Sequence, residues 1–564
     1  MTRRATETSL QREIAAALEQ RHDAPLITVL GRRGRHRTMT GAELGARATE
    51  MQALWDRCLG EGPYVLMAAL PAGEEFLIAL VATLLGGGTL VPVAPPRAAD
   101  PPGRLARMAR TCGARAVLCT TNSRGAVEQQ LMGEGEEPAC PVLAVDDPEP
   151  VPDAASGGAA PCAFPIIQHT SGSTRFPKAV PVTADQIRHN CGLIQSLWSM
   201  NRDSVMINWL PHYHDMGLMG CIVYPLLSGA HSVQMSPFDM IRRPAVWLEA
   251  VSEWRGTISG GPTFAFLECL NRISEEEAQG LDLGSWERAF CGAEPVPSGL
   301  LERFHQRFAA NGLARDAVFA CYGMAECTLF AAGEAGGAGQ AAATVPGPWA
   351  GFEGCLLSAE TRKHIRIAEP ETGRALPDGA TGEIWLSGPS VCDRYLGAAD
   401  DEEAESFFDA PDEVRWLRTG DLGGIAGEHL YIAGRAKDLI IVNGRNVAAA
   451  EVEWLAAREH ADLSPSAAAA FDGLQAEPGH ADLLIELRAG CAPIADPHAV
   501  AERIRKAVAA GTGVRLGRIA FLPRGALPRT SSGKIRRQQA AGDLARLHEQ
   551  ALCLDMARMT EGAA

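Results

Sequence analysis

The sequence has no long apolar run. No stretch approaches the about 18 uncharged apolar residues that a membrane-spanning helix needs. The first residues, Met1 to Glu7, also lack the apolar segment of a secretory signal peptide. We therefore expect a cytoplasmic protein without a membrane span.

An excess of positive charge is also missing. The chain has 52 lysines and arginines against 68 aspartates and glutamates, which gives a formal net charge of −16. A general nucleic-acid binder needs a basic face to neutralise phosphates, so the composition argues against that class of partner. A small anionic ligand stays possible, because a few local donors can bind one inside an acidic protein.

Metal-binding cysteine patterns are absent. The 15 cysteines are an odd number, and no two of them stand in a CxxC pair or in a Cys/His cluster with zinc spacing. They lie scattered in apolar runs, as Cys291 does. We expect reduced cysteines that belong to the core.

What the sequence does have is regular alternation of helical and strand-like segments. Its 564 residues are too many for one ordinary hydrophobic core, so we expect at least two domains. Residues 65–70, 74–85 and 89–93 read as strand, helix and strand, which predicts βαβ units and a largely parallel sheet. The capping-box pattern at Thr40 to Glu43 predicts the start of a helix, as does Thr183 to Gln186.

The pattern changes twice along the chain. Short strands dominate from Thr381, and a mixed helix and strand pattern begins near residue 435. The sequence therefore predicts an α/β fold class, with a large N-terminal domain of stacked α/β sheets plus a β-rich subdomain at residues 1–434. A small α+β C-terminal domain is predicted at residues 435–564.

A hydroxyl-rich loop follows a predicted strand at residues 164–167. Backbone N–H groups and hydroxyls in such a loop can surround phosphate oxygens. It is not a Walker A loop, because the GxxxxGK[ST] spacing is absent. Taken alone, the run is as typical of a solvated turn as of a phosphate site. The candidate phosphate-binding residues are Thr170, Ser171, Gly172, Ser173 and Thr174.

Four more motifs follow this loop in a fixed order: Cys321-Tyr-Gly-Met-Ala-Glu326, Thr419-Gly-Asp421, Gly434-Arg435-Ala-Lys437-Asp438 and Thr530-Ser-Ser-Gly-Lys534. Together they resemble the adenylate-forming superfamily of acyl-CoA synthetases, peptide-synthetase adenylation domains and luciferases, over essentially the whole chain. Further stretches resemble the fatty acyl-AMP ligase branch, namely Val91 to Pro96, Asn208 to Leu218, Gly260 to Phe264 and Cys291 to Pro295.

The resemblance implies roles for individual residues. Lys534 would stabilise the charge that develops on the α-phosphate of ATP and on the attacking carboxylate, and His214 would lie between those two groups. Glu326 would hold the Mg²⁺ that bridges the phosphates, so ATP and Mg²⁺ are the implied cofactors. The implied nucleotide-binding residues are Asp215, Gly292, Ala293, Glu294, Tyr322, Gly323, Met324, Asp421 and Arg435. The implied acyl-pocket residues are Trp209, Ser259, Gly260, Gly261, Pro262 and Phe264.

Lys437 corresponds to the hinge of this superfamily. Its members use one orientation of a mobile C-terminal domain for adenylation and another for acyl transfer, so we expect the same mobility here. The Gly- and Ala-rich segment at residues 331–350 lies where the fatty acyl-AMP ligases carry an insertion.

The resemblance implies an enzyme that activates a carboxylic acid, a fatty acid in that branch, to an acyl-adenylate with release of pyrophosphate. An acyl carrier protein would then accept the acyl group, in lipid, polyketide or lipopeptide biosynthesis. The basic runs Arg32 to Arg37 and Lys534 to Arg537 could contact such an acidic carrier. Two alternatives stay open, an acyl-CoA ligase and a degenerate homologue that only binds nucleotide. Retention of Lys534, Glu326 and Asp421 argues against the second.

Overall fold

The computed structural model describes residues 9–31, 34–97, 100–132, 138–147, 163–170, 177–336, 349, 351–410, 414–442, 445–472, 480–488, 494–530 and 534–556. Its α-helices are α1 (Ser9–Gln20), α2 (Gly41–Leu59), α3 (Glu74–Leu85), α4 (Arg104–Cys112), α5 (Arg124–Met132), α6 (Ala184–Leu197), α7 (Tyr224–Leu227), α8 (Pro237–Arg242), α9 (Ala245–Glu253), α10 (Thr263–Arg272), α11 (Glu275–Gln279), α12 (Leu300–Phe308), α13 (Ala359–Arg362), α14 (Asp400–Ser406), α15 (Ala449–Ala457), α16 (Pro497–Thr512), α17 (Arg537–Gly542) and α18 (Leu544–Glu549).

The strands are β1 (Pro25–Leu30), β2 (His36–Thr40), β3 (Val65–Ala68), β4 (Thr89–Pro92), β5 (Ala116–Cys119), β6 (Val142–Ala144), β7 (Ile166–His169), β8 (Ala179–Val182), β9 (Val205–Asn208), β10 (His231–Gln234), β11 (Ile258–Pro262), β12 (Arg288–Gly292), β13 (Val318–Ala320), β14 (Tyr322–Gly323), β15 (Phe330–Ala332), β16 (Gly354–Leu356), β17 (Ile365–Ala368), β18 (Gly382–Leu386), β19 (Phe407–Asp409), β20 (Arg415–Ala426), β21 (His429–Arg435), β22 (Leu439–Val442), β23 (Arg445–Ala448), β24 (Leu463–Asp472), β25 (His480–Leu487), β26 (Arg515–Leu522) and β27 (Cys553–Met556).

Local sequence signals place two of the predicted helix starts. Thr40 caps α2, and its side chain accepts from the Glu43 N–H while the Glu43 carboxylate accepts from the Thr40 N–H. Thr183 and Gln186 form the same reciprocal pair at the start of α6. Both capping boxes are confirmed, because each satisfies backbone donors that a helix start leaves unpaired.

Two large sheets form the N-terminal part of the chain. One has seven strands in the order β13-β12-β11-β9-β10-β1-β2, and the other has six in the order β6-β5-β3-β4-β7-β8. Neighbouring strands run parallel except at the pairs β1–β2 and β7–β8. Helix α3 is buried from Phe76 to Leu84 and shares one hydrophobic core with strands of both sheets. The predicted α/β fold class is confirmed.

The β-rich part follows as a six-stranded antiparallel sheet. Its order is β16-β21-β20-β18-β17, with β19 paired to β20. The long neighbours β20 and β21 place Asp421 directly opposite Arg435. Of the Gly- and Ala-rich segment that precedes this sheet, residues 337–348 and 350 lie outside the described residues.

The C-terminal part has its own hydrophobic clusters. Sheet β24-β25-β26-β27 is covered by α15 and α16 on one face and by α17 and α18 on the other. The members of both clusters all come from the chain after residue 439. A domain division at residues 434 and 435 stays a prediction.

The sequence predicts no membrane-spanning helix and reduced cysteines in the core. Within the described ranges, no helix is long and apolar enough to cross a membrane. The cysteines of those ranges are all free, and nearly all of them are buried.

Candidate active site

A cavity of about 1630 Å³ lies at the carboxyl edge of the seven-stranded sheet. The adjacent parallel strands β9, β11, β12 and β13 all end there, so the residues that follow them come together. The predicted site residues on its wall are Thr170, Trp209, His214, Asp215, Pro262, Phe264, Ala293, Glu294, Tyr322, Gly323, Met324, Glu326, Asp421, Arg435, Lys437 and Lys534.

Lys534 extends into this cavity from the C-terminal part of the chain. Its Nζ donates to the Ala293 carbonyl oxygen at 2.6 Å, across 241 residues of sequence. The turn that carries it is closed by Thr530, whose hydroxyl accepts from the Lys534 N–H at 3.1 Å and whose N–H donates to the Lys534 carbonyl at 2.8 Å. Burial lowers the pKa of Lys534, and the carboxylates of Glu294 and Asp215 oppose that shift.

Ala293 and Glu294 follow β12 directly. Ala293 has a φ of 66°, in the left-handed region that residues with a side chain seldom adopt. Glu294 accepts from the Phe264 N–H at 3.3 Å, and burial raises its pKa while Lys534 lowers it. Gly292 lies behind the cavity wall. A Cβ added at Gly292 would lie 2.5 Å from the Cys321 carbonyl oxygen.

Asp421 is the centre of a second polar group. Its Oδ2 accepts from the Tyr322 hydroxyl at 2.6 Å, and its Oδ1 lies 2.8 Å from the Arg435 Nε. The Arg435 guanidinium also donates to the Thr419 carbonyl at 3.0 Å. These contacts hold the buried carboxylate in one orientation at the cavity wall.

Glu326 is held by a tyrosine that sequence reasoning missed. The Tyr395 hydroxyl donates to Glu326 Oε1 at 2.9 Å, and both side chains are buried. Burial raises the pKa of Glu326, and the Tyr395 hydrogen bond counters that shift. The Lys178 ammonium lies 4.3 Å from the centre of the Tyr395 ring and 3.0 Å from Glu402. No motif signals Tyr395, because it is 69 residues from Glu326 in the chain.

His214 and Asp215 open a π-helix at Met216–Val223. Asp215 Oδ1 accepts from the Met216 N–H at 2.8 Å, which satisfies one donor of the helix start. Burial raises the pKa of Asp215, and Lys534 lowers it. The preceding segment approaches this helix closely, since a Cβ at Gly217 would lie 2.3 Å from the Pro211 carbonyl oxygen.

Aromatic rings form the predicted acyl-pocket wall. Trp209 and Phe264 meet edge to face with ring centres 5.8 Å apart. Gly261 is behind Trp209, because a Cβ added at Gly261 would lie 2.4 Å from the Trp209 ring, and Gly260 faces the Phe290 carbonyl.

Ser259 is fully buried, and its hydroxyl accepts from Trp247 Nε1 and donates to the Ile207 carbonyl. The structure therefore places Ser259, Gly260 and Gly261 behind the wall and Trp209, Pro262 and Phe264 on it.

The base of the hydroxyl-rich loop is fixed by a pair of hydrogen bonds. Thr170 donates its N–H to the Lys178 carbonyl at 3.0 Å, and its hydroxyl accepts from the Lys178 N–H at 3.2 Å. Thr170 lines the cavity. Ser171, Gly172, Ser173 and Thr174 lie outside the described residues.

Of the two basic runs predicted to contact a carrier protein, the first is described only in part. Arg32 and Arg33 lie outside the described residues. Arg537 binds Glu453 at 2.6 and 2.7 Å and Asp438 at 3.1 Å, so its guanidinium is committed to carboxylates of its own chain. The assignment of the two basic runs as contacts for a carrier protein stays a prediction.

Residues 14–396 match the family described as AMP-binding enzyme. The chain belongs to the AMP-binding enzyme family. The sequence-based resemblance to the adenylate-forming superfamily and to its fatty acyl-AMP ligase branch is confirmed.

Curated relatives of this AMP-binding enzyme are fatty-acid ligases. A medium-chain-fatty-acid–acyl-carrier-protein ligase of Moorena producens is 33% identical over 394 residues, which cover 66% of this chain and 66% of that relative. A second such ligase, from Teredinibacter turnerae, is 32% identical over 67% of this chain and 63% of its own length. The chain thus spans slightly less than two thirds of both. A long-chain-fatty-acid–AMP ligase of Mycobacterium marinum is 31% identical over 83% of this chain and 85% of its own.

Solved structures show the same fold. The fatty acyl-adenylate ligase of L. pneumophila, in complex with acyl adenylate and pyrophosphate, has a TM-score of 0.69 and 27% identity over 97% of this chain and 98% of its own. A structure from a study of fatty acyl-adenylate ligases of E. coli and L. pneumophila has a TM-score of 0.80 and 26% identity, with coverage of 95% and 98%.

Proposed function

We propose that this AMP-binding enzyme uses ATP to convert a carboxylic acid, specifically a fatty acid, into its acyl-adenylate with release of pyrophosphate. The phosphopantetheine thiol of an acyl carrier protein then attacks the acyl carbonyl, so that a thioester forms, the bond from the carbonyl carbon to the phosphate oxygen breaks and AMP leaves. The observation that carries the proposal is the position of Lys534, whose ammonium reaches the Ala293 carbonyl inside a cavity that Asp421 and Trp209 also line.

In the first step a carboxylate oxygen attacks the α-phosphorus of ATP, and the bond from that phosphorus to the oxygen bridging it to the β-phosphate breaks. Little covalent help from the protein is needed, so positioning and electrostatics dominate. Lys534 would place a point charge beside the α-phosphate and the entering carboxylate. His214, on the same wall, would lie between the two reactants.

The nucleotide would be held by residues from two sheets. Asp421, fixed by Tyr322 and Arg435, can accept hydrogen bonds from both ribose hydroxyls. Ala293 and Glu294 would frame the adenine together with Gly292, Tyr322, Gly323 and Met324. The phosphates would lie toward Thr170 and the loop that follows it.

Magnesium fits one carboxylate of this site. Among the described residues no group of three or more His, Cys, Asp or Glu side chains could hold a metal ion by itself. Mg²⁺ bound to ATP needs only one or two protein carboxylates besides the phosphates and water. Glu326 supplies one on the cavity wall, oriented by Tyr395, and would hold the ion that neutralises phosphate charge.

The apolar wall supports a fatty acid as substrate. Trp209 and Phe264 present aromatic rings to the cavity, and Pro262 adds another apolar surface. The curated relatives act on medium-chain and long-chain fatty acids according to their names.

An acyl carrier protein as acceptor rests on the names of two relatives. Transfer requires Lys534 to leave the cavity so that the thiol can reach the acyl carbonyl. We propose Lys437 as the hinge, in the 3₁₀ turn Ala436–Asp438 that connects β21 to β22. Its carbonyl accepts from the Gln538 side chain at 2.9 Å.

The test measures pyrophosphate release with a panel of carboxylic acids, from short to long alkyl chains. Trapped adenylate is then chased with holo carrier protein or with CoA. We expect pyrophosphate release with fatty acids and thioester formation on the carrier protein. Ready thioester formation with CoA would mean that CoA, and not a carrier protein, is the acceptor. The absence of pyrophosphate release with every acid would refute the proposal.

A further inference from the structure

Arg97 lies beside the start of the hydroxyl-rich loop. It comes five residues after β4 ends, and β4 runs parallel to β7 with Leu90 opposite Ile166. The carboxyl ends of both strands therefore meet at one edge of the sheet, and Thr170 follows β7 there. The Arg97 side chain lines the same cavity as Thr170 and Lys178.

The backbone around Arg97 is fixed by local polar contacts. The Arg97 N–H donates to Asp100 Oδ2 at 3.0 Å, and that carboxylate lies 3.2 Å from the Arg104 guanidinium. Arg104 also donates to the Ala94 carbonyl at 2.9 Å. Asp100 is thus held by Arg104 and by the Arg97 backbone, and the exposed residue Arg97 is among those that line the cavity.

That guanidinium has a phenol as neighbour. Tyr213 lines the same cavity as Arg97. Burial raises the pKa of Tyr213, and the nearby positive charge of Arg97 opposes that shift. Tyr213 directly precedes His214, and the two ring centres are 5.0 Å apart. Arg97, Tyr213 and His214 therefore share one wall of the cavity.

Two cations of the cavity wall, Lys178 and Arg435, are paired with carboxylates. Lys178 lies 3.0 Å from Glu402, and Arg435 lies 2.8 Å from Asp421. Over the described ranges, Arg97 forms no ion pair with a carboxylate. An anionic ligand in the cavity would supply the missing partner, and the planar guanidinium fork matches two phosphate oxygens.

We propose that Arg97 binds the β- and γ-phosphates of ATP and the pyrophosphate product, with Tyr213 as the residue that positions it. This rests on the proposed function, because it assigns one end of the same nucleotide. AMP lacks both of these phosphates, so Arg97 should distinguish ATP and pyrophosphate from AMP.

The test compares the full-length wild type with Arg97→Ala, Arg97→Lys and Tyr213→Phe. Arg110→Ala, an exposed arginine of α4 that does not line the cavity, is the matched control. Three quantities are measured: KM for Mg-ATP at saturating acid, the inhibition constant of magnesium pyrophosphate, and the Kd of AMP by calorimetry.

Losing a charge-assisted hydrogen bond should raise KM for ATP and the pyrophosphate inhibition constant about tenfold in Arg97→Ala. Arg97→Lys should recover part of this loss, and Tyr213→Phe should cost about threefold through looser positioning. The Kd of AMP should stay unchanged in every variant, and Arg110→Ala should match wild type in all three measurements.

Unchanged KM and inhibition constants in Arg97→Ala would overturn the inference while wild-type pyrophosphate release leaves the proposed function intact. Equal losses for ATP and AMP, or a loss confined to thioester transfer, would also overturn it. A wild type that releases no pyrophosphate with any acid would refute the proposed function itself and the inference with it.

Discussion

The hydrogen bond from Tyr395 to Glu326 offers a perturbation of a single atom. Tyr395→Phe removes the hydroxyl that donates to Glu326 Oε1 at 2.9 Å and keeps the ring beneath the Lys178 ammonium. Both side chains are buried, so the packing around the ring should survive. What changes is the orientation of the carboxylate that we assign to magnesium.

The size of the effect follows from the kind of bond. A hydrogen bond to a charged group contributes about 1.5–3 kcal/mol, and each 1.4 kcal/mol is about tenfold in affinity. Bound magnesium would itself orient part of the carboxylate, so we expect the lower end of that range. KM for Mg-ATP should rise about tenfold, with AMP affinity unchanged.

The assay is pyrophosphate release with ATP and magnesium varied independently. Tyr431→Phe is the control, because Tyr431 is a buried tyrosine of the same β-rich part that stacks on Trp349. It should behave as wild type. A Tyr395→Phe enzyme with unchanged ATP and magnesium dependence would refute the assignment of Tyr395 as the residue that orients Glu326.

Three further outcomes are expected. Lys534→Ala should slow adenylation about 10²–10³-fold. Because burial lowers the pKa of Lys534, the wild-type kcat/KM should fall as the pH rises through that pKa and the lysine loses its charge. The same alkaline fall in kcat/KM in Lys534→Ala would contradict this assignment. Gly261→Ala should push on the Trp209 ring and raise KM for the fatty acid more than KM for ATP, whereas Gly192→Ala, with open space around its Cβ, should change neither. Lys437→Pro should keep adenylation and lose acyl transfer, since proline is tolerated in a first helical turn but fixes φ at the hinge. Equal loss of both half-reactions would contradict the hinge assignment.

Features that depend on neighbouring residues could be predicted from sequence. The capping boxes at Thr40 and Thr183 involve groups three residues apart, so the pattern contains all their partners. The hydroxyl-rich loop is different, because its residues alone left a solvated turn equally plausible. Only the order of the motifs along the whole chain favours the phosphate site, and that assignment stays a prediction.

Contacts between distant segments were predictable only where the family supplied them. Lys534 meets Ala293 across 241 residues, a pairing that no local pattern encodes. Tyr395 was missed for the same reason. Ser259 was assigned to the acyl pocket, but its hydroxyl bonds to Trp247 in the core and Trp209 fills the space in front of the strand. Which residue forms a wall depends on packing, and the sequence does not contain that information directly.

The most direct test of the central claim is detection of the acyl-adenylate itself. The wild type and Lys534→Ala would be incubated with ATP, magnesium and a fatty acid, without an acceptor, and the bound products identified by mass spectrometry. We predict acyl-AMP and pyrophosphate in equal amounts from the wild type and only traces from Lys534→Ala. Pyrophosphate without acyl-AMP, or equal acyl-AMP from both proteins, would contradict the role assigned to Lys534.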